Sequence, residues 1–178
     1  MMTQYVMIPH ERIGVLIGPQ AAVKRAIEER TGCELRISSS TGTVEIGHAD
    51  PLMVLRTREI VLAIGRGFNP KKAMRLFDDE ALVFEIIDIS EYASSEKDIK
   101  RVNGRIIGAG GKMREHFEVM TGSSISIYGK TVSIIGYPEQ NRVVRTGIEM
   151  LINGSPHGTV YNFLERKHKS LKQQEMND

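Results

Sequence analysis

The chain has 178 residues, 40% hydrophobic and 26% charged, the balance of a globular protein with length for one large or two small domains. Its 24 Lys and Arg against 22 Asp and Glu leave a net charge of +2, which excludes a uniformly basic, histone-like chain but not a local basic patch. One cysteine excludes a disulfide framework and a multi-cysteine zinc site, and no apolar run reaches the roughly 20 residues of a membrane span. Residues 1–9 lack the basic start and apolar core of a signal peptide, so a cytoplasmic chain without a membrane partner is expected.

In chain order, residues 4–8 predict a strand, 10–17 a short helix and 18–21 a glycine-containing turn. An amphipathic helix follows, with Ala22, Val23, Ala26 and Ile27 on one stripe, and Thr31-Gly32 ends it. Cys33 is expected to be buried. Two strands and a helix over 51–66 complete the series. A helix from Lys71 to Asp78 comes next, with Ala73, Leu76 and Phe77 expected to pack between domains. The series then restarts with a strand at 82–89, a helix at 98–107 and a turn at 108–111. A helix striped by Met113, Phe117 and Met120 ends at Thr121-Gly122. Ile125, Ile127, Val132 and Ile134 alternate around Gly129-Lys130, a hairpin, and a helix at 138–152 follows. After a break at 154–158, a terminal helix carries Tyr161, Leu164 and His168 or Leu171 on one side, with a frayed end from Lys169 to Asp178.

The two series are one repeat. At a shift of 90 residues, Gly14 and Gly18 fall on Gly104 and Gly108, Thr31-Gly32 on Thr121-Gly122, and Ile37 on Ile127. Two copies mean two similar domains, where a solenoid needs three or more. The expected division is a first domain at 1–70, a linker helix at 71–79, a second domain at 80–153 and a helical tail at 154–178.

The turn in the second copy, Gly108-Ala109-Gly110-Gly111, joins two helices. Its glycines allow positive φ and close approach by another backbone. It opens a helix whose unpaired N–H groups favour an anion. Lys100, Arg101, Arg105, Lys112 and Arg114 surround it with positive charge, and Ile106 and Ile107 are expected to wall an apolar groove. Phosphates outside and bases against aliphatic side chains are the natural cargo. The turn is not a P-loop, which needs G-x-x-x-x-G-K-[ST] after a strand, nor a dinucleotide fingerprint, since position 113 is Met. A purely structural helix-turn-helix needs fewer glycines.

A GxxG turn between two helices, with strands after it, resembles a KH domain, in which that loop clamps a short single-stranded backbone. The second copy is similar to the archaeal ribosome-assembly KH proteins and their eukaryotic relatives, the partner of Nob one family. The resemblance rests on Gly104-Arg105-Ile106-Ile107-Gly108, Gly111-Lys112, Thr121-Gly122 and the run from Ser126 to Val132. It is extended by Ala63 to Phe68 and by Pro156-His157-Gly158. It implies an α+β fold of two tandem type I KH domains, βααββα each, with three-stranded sheets packed on helices, plus a C-terminal helix. It implies binding to the 3′ region of small-subunit precursor ribosomal RNA. It also implies partnership with the rRNA-maturation endonuclease and the alpha subunit of translation initiation factor two. No cofactor is implied. The low aromatic content, 6% with no Trp, fits a groove that does not read bases by stacking.

The copies are not equivalent. The first turn reads Gly18-Pro19-Gln20-Ala21, where the family pattern expects glycine at position 21. Alanine hinders close approach and penalises positive φ, and Pro19 removes a donor. Arg12, Gly14, Lys24 and Arg25 lie near it in sequence. This copy reads either as an auxiliary RNA surface or as a packing or protein-binding domain. Residues 79–154 hold 9 basic and 11 acidic residues, yet the window 96–114 carries six basic against Glu96 and Asp98. A basic strip opposite an acidic face follows, with a solvated helix surface as the competing view.

Catalytic readings are weaker. The five histidines show no paired metal-ligand spacing, and Glu165-Arg166-Lys167-His168 is a single instance of a di-iron spacing. Asp78-Asp79-Glu80 suits solvated acid better than a nuclease metal site. The expectation is a non-catalytic RNA-binding protein, with a KH-fold protein-interaction scaffold as the alternative.

Overall fold

A computed structural model describes residues 1–178. The chain divides into two compact units, Met1–Glu80, which takes in the helix at 70–78, and Ala81–Asp178, which takes in the terminal helix.

The first unit runs β1 (Met2–Met7), α1 (His10–Ile17), a 3-10 turn at Pro19–Ala21, α2 (Ala22–Thr31), β2 (Glu34–Ile37), β3 (Thr43–His48), α3 (Pro51–Gly65) and α4 (Pro70–Asp78). β3 is the centre of an antiparallel sheet ordered β1-β3-β2, so Ile46 pairs with Gln4 on one side and Leu35 on the other. One sheet face supplies Leu35, Val44 and Ile46 to the core, and the helices supply Leu16, Ile27, Ile60 and Ile64. Fully burying each such side chain contributes about 1.5–3 kcal/mol. Both later helices begin on strong signals. The Asp50 carboxylate accepts the Leu52 N–H at 2.9 Å ahead of Pro51, and the Asn69 amide oxygen accepts the Lys72 N–H at 2.8 Å ahead of Pro70.

Two local expectations change. On α2, Ile27 and Thr31 face inward while Ala22 and Ala26 are exposed, because an alanine is too small to fix which face of a helix is buried. The helix at 70–78, read as a linker, packs on α3 and α2 of the first unit. Arg56 stacks over the Phe77 ring at 4.5 Å and donates to the Phe77 carbonyl, while Arg30 pairs with Asp78. Cys33 is buried, as expected.

The second unit runs β4 (Val83–Asp88), α5 (Glu96–Ile107), a 3-10 turn at Ala109–Gly111, α6 (Lys112–Thr121), β5 (Ser124–Tyr128), β6 (Thr131–Gly136), α7 (Pro138–Ile152) and α8 (His157–Asn177). Its sheet order, β4-β6-β5, repeats that of the first, with β5 at an edge. Ile106, Met113, Phe117, Ile134, Val144 and Ile148 form the centre of its core. Val160, Phe163 and Leu164 join α8 to that core. α8 stays helical to Asn177, past the expected fraying point, with Leu171 packed against the core and every residue beyond it exposed.

The repeated Thr-Gly does more than end a helix. The Thr31 hydroxyl donates to the Ile27 carbonyl at 2.7 Å and accepts the Cys33 N–H at 3.2 Å. Thr121 makes the same two bonds, to the Phe117 carbonyl and from the Ser123 N–H, at the same distances. A threonine can do both because its hydroxyl is donor and acceptor at once. The glycine after it then turns the chain, at φ 74° and 80°.

Candidate nucleic-acid interface

α5 and α6, the helices joined by the glycine turn, lie against β5, the edge strand. Asn103 of α5 donates to the Gly129 carbonyl at 2.8 Å, which ties the helix to the β5–β6 hairpin. α5, β5 and the hairpin thus lie together, with the turn continuing from the end of α5.

The turn's backbone is left-handed at two consecutive residues. Gly110 and Gly111 have φ of 62° and 76°, and a Cβ on either would meet nothing within 4 Å. The conformation demands glycine there, and the surroundings are open. Gly108 differs, since a Cβ on it would lie 2.7 Å from Met113 Cβ, so the fold itself requires that glycine. Within the turn, the Gly108 N–H bonds the Gly104 carbonyl, the Gly111 N–H bonds Gly108, and the Lys112 N–H bonds Ala109. The N–H groups of Ala109 and Gly110 have no acceptor in the chain, and both residues are exposed. Two donors at the start of a helix suit an anion.

Gly104 adds an independent signal. It is exposed within α5, has helical φ, and a Cβ there would meet nothing within 4 Å. Glycine costs a helix about 1 kcal/mol relative to alanine, and nothing inside the protein requires it. Gly14 is the same in the first unit.

The expected side chains divide into two groups. Lys100 and Lys112 are exposed with no ion pair, and Ile107 is 37% exposed. Arg101 is exposed but paired with Asp98 at 2.8 Å. The others are engaged by the fold. Ile106 is fully buried in the core, because only one of two successive helical residues can face the groove. Arg105 donates to the carbonyls of Leu151 and Ser155. Arg114 pairs with Glu118 at 2.7 Å. Lys130, which the sequence marks only as part of the hairpin, is exposed there. Its charge counts here only because the topology brings the hairpin beside α5.

The first turn keeps the shape and loses much of the chemistry. Gly18 and Gly108 share φ and ψ within a few degrees, at 73°, 173° and 75°, 173°. Gln20 and Ala21 adopt φ of 54° and 60°, the left-handed positions of Gly110 and Gly111. These are the chain's two non-glycine residues with positive φ, and such a residue costs about 1–2 kcal/mol. Pro19 has no N–H, so the Gln20 N–H stands alone. Lys24 is paired with Glu28 at 3.3 Å. Arg12 donates to the carbonyls of Ile64 and Phe68. Arg25 is exposed, and exposed Ala22 stands at the repeat position of Lys112.

No helix is long and apolar enough to cross a membrane. No group of three His, Cys, Asp or Glu side chains is placed to hold a metal ion.

Comparison with known proteins places these features in context. Residues 83–169 match the eukaryotic type KH-domain (KH-domain type I) family, and residues 3–62 match the KH domain family. A KH domain-containing protein of Methanocaldococcus jannaschii is 45% identical over 173 residues, covering 95% of this chain and 75% of that protein. The pre-rRNA-processing protein PNO1 of Saccharomyces cerevisiae is 25% identical over 174 residues, and the match spans 94% of this chain and 64% of the yeast protein's length. Among solved structures, the a/eIF2alpha-aDim2p-rRNA complex from Pyrococcus horikoshii OT3 contains a chain 47% identical, with a TM-score of 0.88 and 95% of each chain covered.

Proposed function

This chain belongs to the two-KH-domain family that includes the Methanocaldococcus protein and is related to PNO1 and Dim2, and from that premise we propose that it binds single-stranded RNA through the second glycine turn. The observation that carries the reading is the pair Gly110 and Gly111, left-handed, open to the outside, and next to N–H groups without an internal acceptor. Phosphates meet those N–H groups with Lys100, Lys112 and Lys130 around them, and bases lie against Ile107. The target is the 3′ region of small-subunit precursor ribosomal RNA. The alpha subunit of initiation factor two and the rRNA-maturation endonuclease are its protein partners. The role is non-catalytic and cytoplasmic. The first unit is an auxiliary RNA surface: it keeps a strained turn of the same shape, and with fewer donors and cations it binds more weakly.

The test replaces Gly110 and Gly111 together by Asp, which sets two carboxylates against phosphate. Aspartate tolerates positive φ better than most residues, and neither Cβ meets an obstacle. Fluorescence anisotropy with a short single strand should show binding collapse, while the thermal melt stays cooperative. Unchanged affinity defeats the assignment. Lys112→Glu provides a milder variant with the same expected direction. Affinity left in the double variant measures the share of the first unit.

A further inference from the structure

The corner between α7 and α8 is bonded to α5 from both directions. The Arg105 guanidinium donates to the Leu151 and Ser155 carbonyls, and the Arg105 carbonyl accepts from Nε2 of His157 at 2.9 Å. Arg105 stands three residues before Gly108. Its carbonyl lies in the last turn of α5, where no intrahelical partner exists, and His157 supplies one. Farther along α8, Nδ1 of His168 bonds the Met120 carbonyl at 3.0 Å, in the last turn of α6. The rings of His116 and Tyr161 meet edge to face at 4.4 Å between these points. α8 therefore caps the C-terminal ends of both helices that flank the glycine turn.

The first unit contains a matching bond made by a different residue. Arg12 of α1 donates through Nε to the Ile64 carbonyl at 2.8 Å and through Nη2 to the Phe68 carbonyl at 2.9 Å, at the end of α3. At the 90-residue shift Arg12 falls on Val102, and Arg105 falls on Val15. Arginines from non-equivalent positions thus anchor the helix before the turn to the end of the last helix of the repeat. The link is common to both units although the residue supplying it is not.

We propose that this corner brace positions the glycine turn, and that Arg105 and His157 are positioning residues of the RNA site, acting through the backbone without touching RNA. The proposal rests on the RNA-binding reading above. A turn that is held in place presents the Ala109 and Gly110 N–H groups without an ordering cost at the moment of binding. Linkage then requires the reciprocal effect: RNA in the turn tightens the docking of the start of α8, and a partner that pulls this helix away weakens the hold on RNA.

The test uses full-length His157→Ala, His157→Gln and Arg105→Gln. In protein without RNA, the amide exchange of Gly108 and Gly111 should quicken roughly tenfold in His157→Ala and return close to normal in His157→Gln, whose side-chain N–H can reach the same carbonyl. RNA affinity should follow the same order, falling roughly tenfold in His157→Ala. In Arg105→Gln the affinity should fall while the slope of log affinity against log salt stays unchanged. A slope smaller by about one would make Arg105 a phosphate ligand and overturn the proposal. Normal turn exchange in His157→Ala also overturns it, as does equal behaviour of the Ala and Gln variants. If the wild-type protein binds no RNA, the functional reading fails, and the exchange measurement still decides the brace. Should His157→Ala not fold, His157→Asn, too short to reach the carbonyl, takes its place in the comparison with His157→Gln.

Discussion

The carboxylate of Glu118 accepts the backbone N–H of Ile125 at 3.0 Å, so that α6 holds the first residues of the edge strand β5. The other carboxylate oxygen pairs with Arg114 one turn earlier. The first unit repeats the arrangement at a shift of 90 residues: Glu28 accepts the Leu35 N–H at 3.0 Å and pairs with Lys24. The basic residues at 24 and 114 therefore belong to a carboxylate-centred link between helix and strand. Their place next to the glycine turns follows from that link as much as from any ligand.

Replacing Glu118 by Ala should reduce stability by about 1–3 kcal/mol, because the part-buried Ile125 N–H loses its acceptor. Urea denaturation measures this. A loss below about 0.5 kcal/mol would show that water reaches that N–H and that the link is dispensable.

The two turns should respond oppositely to exchange of their last residues. Ala21→Gly relieves a left-handed alanine and gives back part of the gain to the more flexible unfolded chain, so a net stabilisation of about 0.5–1 kcal/mol is expected. Gly111→Ala should destabilise by about 1–2 kcal/mol for the same steric reason. Both follow from φ values of 60° and 76°. If Ala21→Gly lowers the melting temperature, the first turn does not hold that shape in solution.

Gly104→Ala should separate folding from binding. The added methyl meets nothing within 4 Å, and helix propensity favours it, so stability should rise by about 0.5–1 kcal/mol. RNA affinity should fall severalfold, since the proposed site brings the ligand to this face of α5. Stability and affinity rising together would place the RNA elsewhere.

Lys112 is exposed and unpaired at the start of α6. Lys112→Ala should lower RNA affinity and reduce the salt slope by about one, the signature of a lost phosphate contact. Titration at several salt concentrations checks it, and an unchanged slope would remove Lys112 from the site.

The duplication, the element order and the position of the second turn are legible in the residues alone. Those features depend on short-range rules: apolar period, glycine at positive φ, Asp-Pro and Asn-Pro at helix starts, and Thr-Gly at helix ends. Which cations are available depends on the folded arrangement. Arg105 and Lys100 look alike in a sequence, yet one is bonded to carbonyls at 151 and 155 and the other is exposed. Those carbonyls lie some fifty residues away, and no local pattern encodes them. The contacts of the helix at 70–78 with Arg30 and Arg56 are of the same kind, because they join segments distant in sequence. Length allowed one large or two small domains, the repeat decided for two, and the net charge left room for a local patch. Packing selected, from the cations near the turn, those whose charge remains open to a ligand.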